Sequence, residues 1–181
     1  MPGFDLLKEI DLYGVLNAKQ IMELSSHEPA LVCGCIDFSE QIQPCGIDLT
    51  VSQVTSFISA GKITRSNRDR RVSETRPVQF DANGQAQLGA GAYLITYNET
   101  VNLPLNLTAL VLPRSSLLRS GATIHTAVWD PGYSGKGQSL LTVYNTEGLI
   151  LEKDARLSQM VFYVLEETSQ GYSGIYQGEN L

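Results

Sequence analysis

The spacing of apolar residues along the chain changes character near residue 41. Before it, Leu6, Leu7, Ile10 and Tyr13 recur at helical intervals and Gly14 follows as a stop. Asn17 is placed to cap a second short helix over 18–25, whose apolar face would be Ile21, Met22 and Leu24. Beyond it, Ile47, Leu49 and Val51 alternate with Asp48 and Thr50, the period of a strand with one face buried. Further β-like runs cover 93–97, 109–112, 123–128, 140–144, 149–151 and 160–165. Gly89 to Gly91, Pro104, Pro113, Pro131-Gly132 and 145–148 punctuate them. Many short strands with regular turns predict an antiparallel sandwich or barrel, mainly β, behind a helical segment over 1–30. The tail, 170–181, is rich in Gly, Ser and Tyr and reads as a mobile C-terminal arm. Neither a repeat nor an interdomain linker interrupts the pattern, so 1–181 reads as one domain, a size that buries a sufficient core unaided.

Composition narrows the partners. A net charge of −6 disfavours a duplex-DNA binder, which needs clustered Lys and Arg, but leaves room for a small anion met by local cations. No apolar run approaches a membrane span, and Met1-Pro2-Gly3-Phe4-Asp5 lacks the order of a signal peptide, so a cytoplasmic protein is expected. Cys33, Cys35 and Cys45 are too few for a disulfide framework, and His27 and His125 do not follow at zinc-ligand spacing, so free thiols are expected. Residues 64–77 hold Arg65, Arg68, Arg70, Arg71 and Arg76, read as a solvated excursion or, alternatively, a phosphate-contacting loop.

Five segments carry candidate chemistry. Pro113-Arg114-Ser115-Ser116-Leu117-Leu118-Arg119 packs guanidinium forks and hydroxyls between two strands; it is a phosphate cradle or a capped short helix with surface arginines. In Trp129-Asp130-Pro131-Gly132-Tyr133-Ser134-Gly135, Asp130 is a general base toward water or a turn-initiating Asp. In Gln43-Pro44-Cys45-Gly46-Ile47-Asp48-Leu49, Asp48 is a magnesium ligand, directly or through water, or an outward-facing strand residue. Arg156-Leu157-Ser158-Gln159 is the fourth. The tail from Gly171 to Gly178, with Tyr172, Tyr176 and Gln177, can fold over a ligand and stack on a base, or is incidental.

Taken in order, these segments resemble the five motifs of the dUTP diphosphatase and dCTP deaminase superfamily, most nearly the archaeal-type, deaminase-like dUTP diphosphatases. The likeness runs from about Gln41 to the C-terminus. It implies a distorted, jelly-roll-like β barrel that assembles as a homotrimer with active sites between subunits. It implies further that Arg114, Ser115 and Ser116 hold the triphosphate, that Asp130 activates water, and that Tyr133 packs on the deoxyribose. Gln159 would contact phosphate or ordered water, and Tyr172 or Tyr176 would close over the nucleotide with Gln177 in the same tail motif. Magnesium would accompany the phosphates, with Asp48 reaching it through water. Arg119 stands where deaminases keep an arginine near the base.

The implied reaction is hydrolysis of dUTP to dUMP and pyrophosphate, which limits uracil in DNA and supplies dUMP for dTMP synthesis. The alternatives are dCTP deamination, alone or combined with hydrolysis, and a nucleotide-binding regulator without turnover. Family deaminases carry a glutamate about ten residues after the motif-three aspartate. Here no carboxylate occurs between Asp130 and Glu147, and Thr142 stands at the corresponding place. A hydroxyl without a neighbouring base cannot shuttle protons, so hydrolysis is favoured. Ile175 replaces a tail lysine, and Gln138-Ser139 lengthens the turn after Gly135. Uracil would be read by backbone groups of 139–142.

Overall fold

A computed structural model describes residues 14–166 and 168–181. The helix expected around Leu6 to Tyr13 lies outside the described residues. In chain order the elements are α1 (Ala18–Ser25), β1 (Val32–Cys33), α2 (Phe38–Gln41), β2 (Ile42–Gln43), β3 (Gly46–Phe57), β4 (Thr75–Pro77), β5 (Gln85–Leu88), β6 (Gly91–Tyr97), β7 (Thr100–Asn102), β8 (Leu107–Pro113), α3 (Ser115–Arg119), β9 (Ala122–His125), β10 (Ser134–Gly135), β11 (Gln138–Val143), β12 (Leu149–Glu152) and β13 (Arg156–Val164).

The main sheet is antiparallel and runs β8-β13-β3-β6-β11-β9, with β2 and β4 paired to the two ends of β3. Its outer strands, β8 and β9, are joined by α3 and touch each other, so the sheet curls into a nearly closed barrel. A three-stranded sheet, β1-β7-β10, and the pair β12-β5 complete it. The architecture is the mainly β, jelly-roll-like barrel that the sequence predicts. Such closure leaves few open edges.

The helix α1 has the predicted bounds. Asn17 Oδ1 accepts from the Gln20 amide at 3.1 Å and Gln20 Oε1 accepts from the Asn17 amide at 3.0 Å, a reciprocal cap. Ile21 and Leu24 are buried, but Met22 is 50% exposed and does not belong to the apolar face. It lies about 100° around the helix from Ile21, toward solvent.

The strand β3 departs from its predicted one-faced burial. All six residues from Gly46 to Val51 are buried, Asp48 and Thr50 included. The strand is central here and covered on both faces, so its polar positions meet polar partners instead of water. A bulge between Val51 and Gln53 in the pairing with β6 turns the second half of β3 toward β4. The run expected over 123–128 ends at His125, and Trp129 instead makes a single bridge to Ala109.

Buried Leu, Ile and Val from all the main strands fill the barrel. Tyr97 is fully buried, donates to Ser139 Oγ at 2.9 Å and accepts from Ser158 Oγ at 3.1 Å. Burial pushes its hydroxyl up to about 12. A buried phenol without partners would cost a few kcal/mol, so both serines are needed there.

Candidate active site

Strand register assembles the first half of the site. Asp48 on β3 stands opposite Gln159 on β13, which stands opposite Leu112 on β8; Ser158 faces Pro113. Three of the five motifs therefore meet in adjacent strands. Arg114, at the end of β8, caps α3 through its backbone, and its amide donates to the Leu157 carbonyl at 3.0 Å. Its Nε lies 3.1 Å from Asp48 Oδ2, and its Nη1 donates to the Arg156 carbonyl at 3.3 Å. Arg156 Nη1 lies 3.8 Å from the same Asp48 oxygen and also donates to the Glu40 carbonyl. Gln43 Nε2 donates to Asp48 Oδ2 at 3.4 Å.

Asp48 is 1% exposed. Burial raises its carboxyl above the ordinary range, and the guanidiniums of Arg114 and Arg156 offset that only in part. The outward-facing reading of Asp48 is thus overturned. Gly46 is required in this half: a Cβ there would collide with the Met160 carbonyl and stand 2.9 Å from Gln159 Nε2. Ser115, Ser116 and Arg119 are exposed on α3, and Arg119 makes no ion pair with any described residue.

The second half is a cavity of about 890 Å³. Trp129, Asp130 and Tyr133 form one wall, with Gly137 and Gln138 beside them. Trp129 and Tyr133 meet edge to face at 5.1 Å, and Tyr133 meets Tyr172 at 5.8 Å. Tyr133 is 6% exposed and donates to Glu179 Oε1 at 3.0 Å. Burial, reinforced by the Glu179 charge, raises the Tyr133 hydroxyl; burial likewise raises Glu179, with the tyrosine hydrogen bond pulling it back. Asp130 is exposed on the cavity wall.

The tail lies along the motif-three turn of its own chain. The Tyr172 amide donates to the Pro131 carbonyl at 2.7 Å, and the Gly178 amide to the Ser134 carbonyl at 2.8 Å. Gln177 accepts from the Ser134 amide at 3.2 Å and donates to the Gly132 carbonyl at 3.1 Å. Gly132 has φ +81°, and a Cβ on it would stand 2.7 Å from Gly171 Cα, so glycine is required twice over at that turn. Tyr172, Tyr176 and Glu179 line the cavity from this tail, while Gln177 braces it without lining it.

The structure therefore groups Asp130, Tyr133, Tyr172 and Tyr176 around one cavity. It leaves Arg114, Ser115, Ser116, Arg119, Gln159 and Asp48 off its wall. One expectation is corrected. Of the stretch 139–142, Leu140, Leu141 and Thr142 are paired to β6 on one side and β9 on the other, which leaves only Ser139 without a β9 partner. Gly137 and Gln138, just before that doubly paired stretch, line the cavity instead.

Sequence reasoning passed over Glu99. It is fully buried, and its two oxygens accept from Gln41 Nε2 at 2.7 Å, the Thr50 amide at 3.0 Å and the Thr50 hydroxyl. Burial raises its carboxyl, while these donors pull the other way. Gln41 also donates to the Asp48 carbonyl at 2.8 Å, which ties Glu99 to the motif-one strand. Glu179 on the cavity wall was also missed, whereas Arg71, also on that wall, belongs to the basic segment for which a phosphate-contacting loop is the alternative reading. The signal available for Glu99 was a lone carboxylate at a strand end between apolar runs.

For the expected magnesium, no cluster of three or more His, Cys, Asp or Glu side chains in metal-binding proximity occurs among the described residues. Asp48 Oδ2 is engaged by two guanidiniums. A magnesium ion that brings its own phosphate oxygens and waters needs only one or two carboxylates, so the donor set fits an ion arriving with its ligand rather than a resident one.

A barrel with a nucleoside-sized aromatic cavity and a separate cluster of strand-end cations defines a nucleotide-binding class of protein. The chain belongs to the dCTP deaminase-like family, whose model matches residues 15–165. It is 42% identical over 167 residues to a probable deoxyuridine 5'-triphosphate nucleotidohydrolase of Methanosarcina mazei, covering 92% of this chain and 98% of that one. It is 36% identical over 140 residues to the deoxyuridine 5'-triphosphate nucleotidohydrolase of Methanocaldococcus jannaschii, covering 77% and 88%. Among solved structures it resembles the 2'-deoxycytidine 5'-triphosphate deaminase of Agrobacterium tumefaciens at TM-score 0.65 and 21% identity. That match covers 83% of this chain and 48% of the deaminase chain.

Proposed function

We propose that the protein hydrolyses dUTP to dUMP and pyrophosphate. The observation that carries this reading is Asp130 on the wall of the cavity that Tyr133 floors, in a chain whose relatives across 92% of its length are named for that activity. Asp130 accepts a proton from a water that attacks the α-phosphorus in line with the leaving pyrophosphate. Tyr133 is fixed by Trp129, Tyr172 and Glu179, so its ring presents a rigid face to the sugar and rejects a 2′-hydroxyl by bulk. Tyr172 and Tyr176 flank the base from the tail. Deamination has no proton shuttle here, because Thr142 occupies the strand position and β11 holds no carboxylate.

The phosphate-binding set, Arg114, Ser115, Ser116, Arg119 and Gln159, lies off the cavity wall of its own chain. A second subunit that turns this set toward the cavity completes the site, which supports assembly as a homotrimer. Magnesium carried by the triphosphate would supply charge neutralisation when bound, while Asp48, enclosed and held by Arg114 and Arg156, orients those guanidiniums. No helix among the described residues is long and apolar enough to cross a membrane.

The test is a panel of deoxynucleoside triphosphates scored for pyrophosphate and ammonia. Pyrophosphate from dUTP without ammonia from dCTP is expected. Ammonia from dCTP, or tight dUTP binding without pyrophosphate, would replace this reading with deamination or with a regulator.

A further inference from the structure

The basic segment after β3 is not a free excursion. Its two limbs continue the β3-β4 ladder outward: the Ile58 amide donates to the Glu74 carbonyl at 2.9 Å, and Lys62 and Arg71 exchange backbone hydrogen bonds at 2.7 and 2.9 Å. Ser59 Oγ accepts from the Glu74 amide at 2.8 Å, and Ser66 caps the three-residue turn Asn67–Asp69 at the tip. This extension carries Arg71, Val72 and Ser73 to the cavity, which they line together with Asp130 and Tyr133.

The charges on that cavity are Arg71, Asp130 and Glu179. Two carboxylates oppose an incoming polyphosphate, in a chain already at net −6. Arg71 is exposed, and its guanidinium makes no hydrogen bond or ion pair with any described residue. Its backbone bonds alone fix its place. An unengaged guanidinium on the lip of an otherwise anionic nucleotide cavity matches a phosphate oxygen pair better than an uncharged base.

We infer that Arg71 is a phosphate-binding residue contributed in cis, from the same chain as Asp130, to the nucleotide held in this cavity. The inference rests on the dUTP reading for the identity of the nucleotide. It adds a cation that none of the five motifs contains, and gives the basic hairpin a role in substrate affinity.

Binding separates this from other roles. The wild-type protein, Arg71→Ala, Arg71→Lys and, as a control on the same hairpin, Arg65→Ala are titrated with deoxyuridine, dUMP and a dUTP analogue bearing an α,β-imido bridge. Arg71→Ala is expected to weaken dUMP and the analogue by about 10-fold or more, the worth of a charge-assisted hydrogen bond, with deoxyuridine unchanged. Arg71→Lys recovers part of the loss, and Arg65→Ala recovers wild-type affinity throughout. Equal weakening of all three ligands would overturn the inference in favour of a base or sugar contact, and so would no weakening of any. The readout is affinity, so a wild-type protein that binds the analogue but releases no pyrophosphate from dUTP defeats the proposed reaction while leaving the Arg71 comparison decisive.

Discussion

The two halves of the site are built by different means. The Asp48 half sits on three paired strands, encloses its carboxylate, and is held by guanidinium contacts within the chain. The Asp130 half sits on a turn and a tail, is open to solvent, and is held by backbone hydrogen bonds and ring edges. The first is a charge cluster enclosed between strands; the second is a receptacle that presents its carboxylate to solvent. An exposed carboxylate can be reached by a water and a substrate, and an enclosed one can fix two arginines in a single geometry.

Substitutions break this comparison in order of size. Asp130→Asn is expected to lower the dUTP hydrolysis rate by roughly 10²- to 10⁴-fold with an unchanged urea midpoint; a shifted midpoint would place Asp130 among the structural groups. Asp48→Ala removes the counter-ion of two partly buried guanidiniums and is expected to cost about 3–5 kcal/mol in urea unfolding. A cost near zero would mean that the cluster does not hold the strands together.

Glu99→Ala strips the shared acceptor from Gln41 and Thr50 and is expected to cost about 2 kcal/mol. Glu99 also gives a pH signature. Its folded carboxyl is raised, so the folded state holds the proton more tightly than the unfolded chain. Its contribution is then most favourable below the unfolded carboxyl value of about 4.3 and is lost as pH rises through the folded value. Glu99→Gln should flatten that part of the stability-against-pH curve; an unaltered slope would show that Glu99 does not titrate there. The smallest effect expected is Asn17→Ala, about 1 kcal/mol from the lost cap, read by the same unfolding experiment.

Much of the fold was legible because its determinants are local. The α1 cap and bounds follow from Asn17 and the spacing of Ile21 and Leu24, and most strands from alternation between turn residues. The missed pieces depend on distant partners. The strand Thr75–Pro77 has no apolar pattern of its own and exists through pairing with β3, while Gln85–Leu88 alternates over only four residues and is fixed by pairing with β12. The burial of Asp48 and Thr50 depends on which strands flank β3, and Thr50 meets Glu99 49 positions away. The motif residues of the site were readable from their order and chemistry. Their division into two halves was not, because it is set by how a barrel closes, and Arg71 reaches the cavity only through a ladder that no local spacing records.

The contact between Gly132 and Gly171 has a practical corollary. With a methyl group at position 132, the tail backbone and the turn could not occupy their present positions together. Gly132→Ala would thus free the arm without shortening the chain and, because position 132 has φ +81°, strain the turn between Asp130 and Tyr133 in the same step, so that arm and turn respond as one latch.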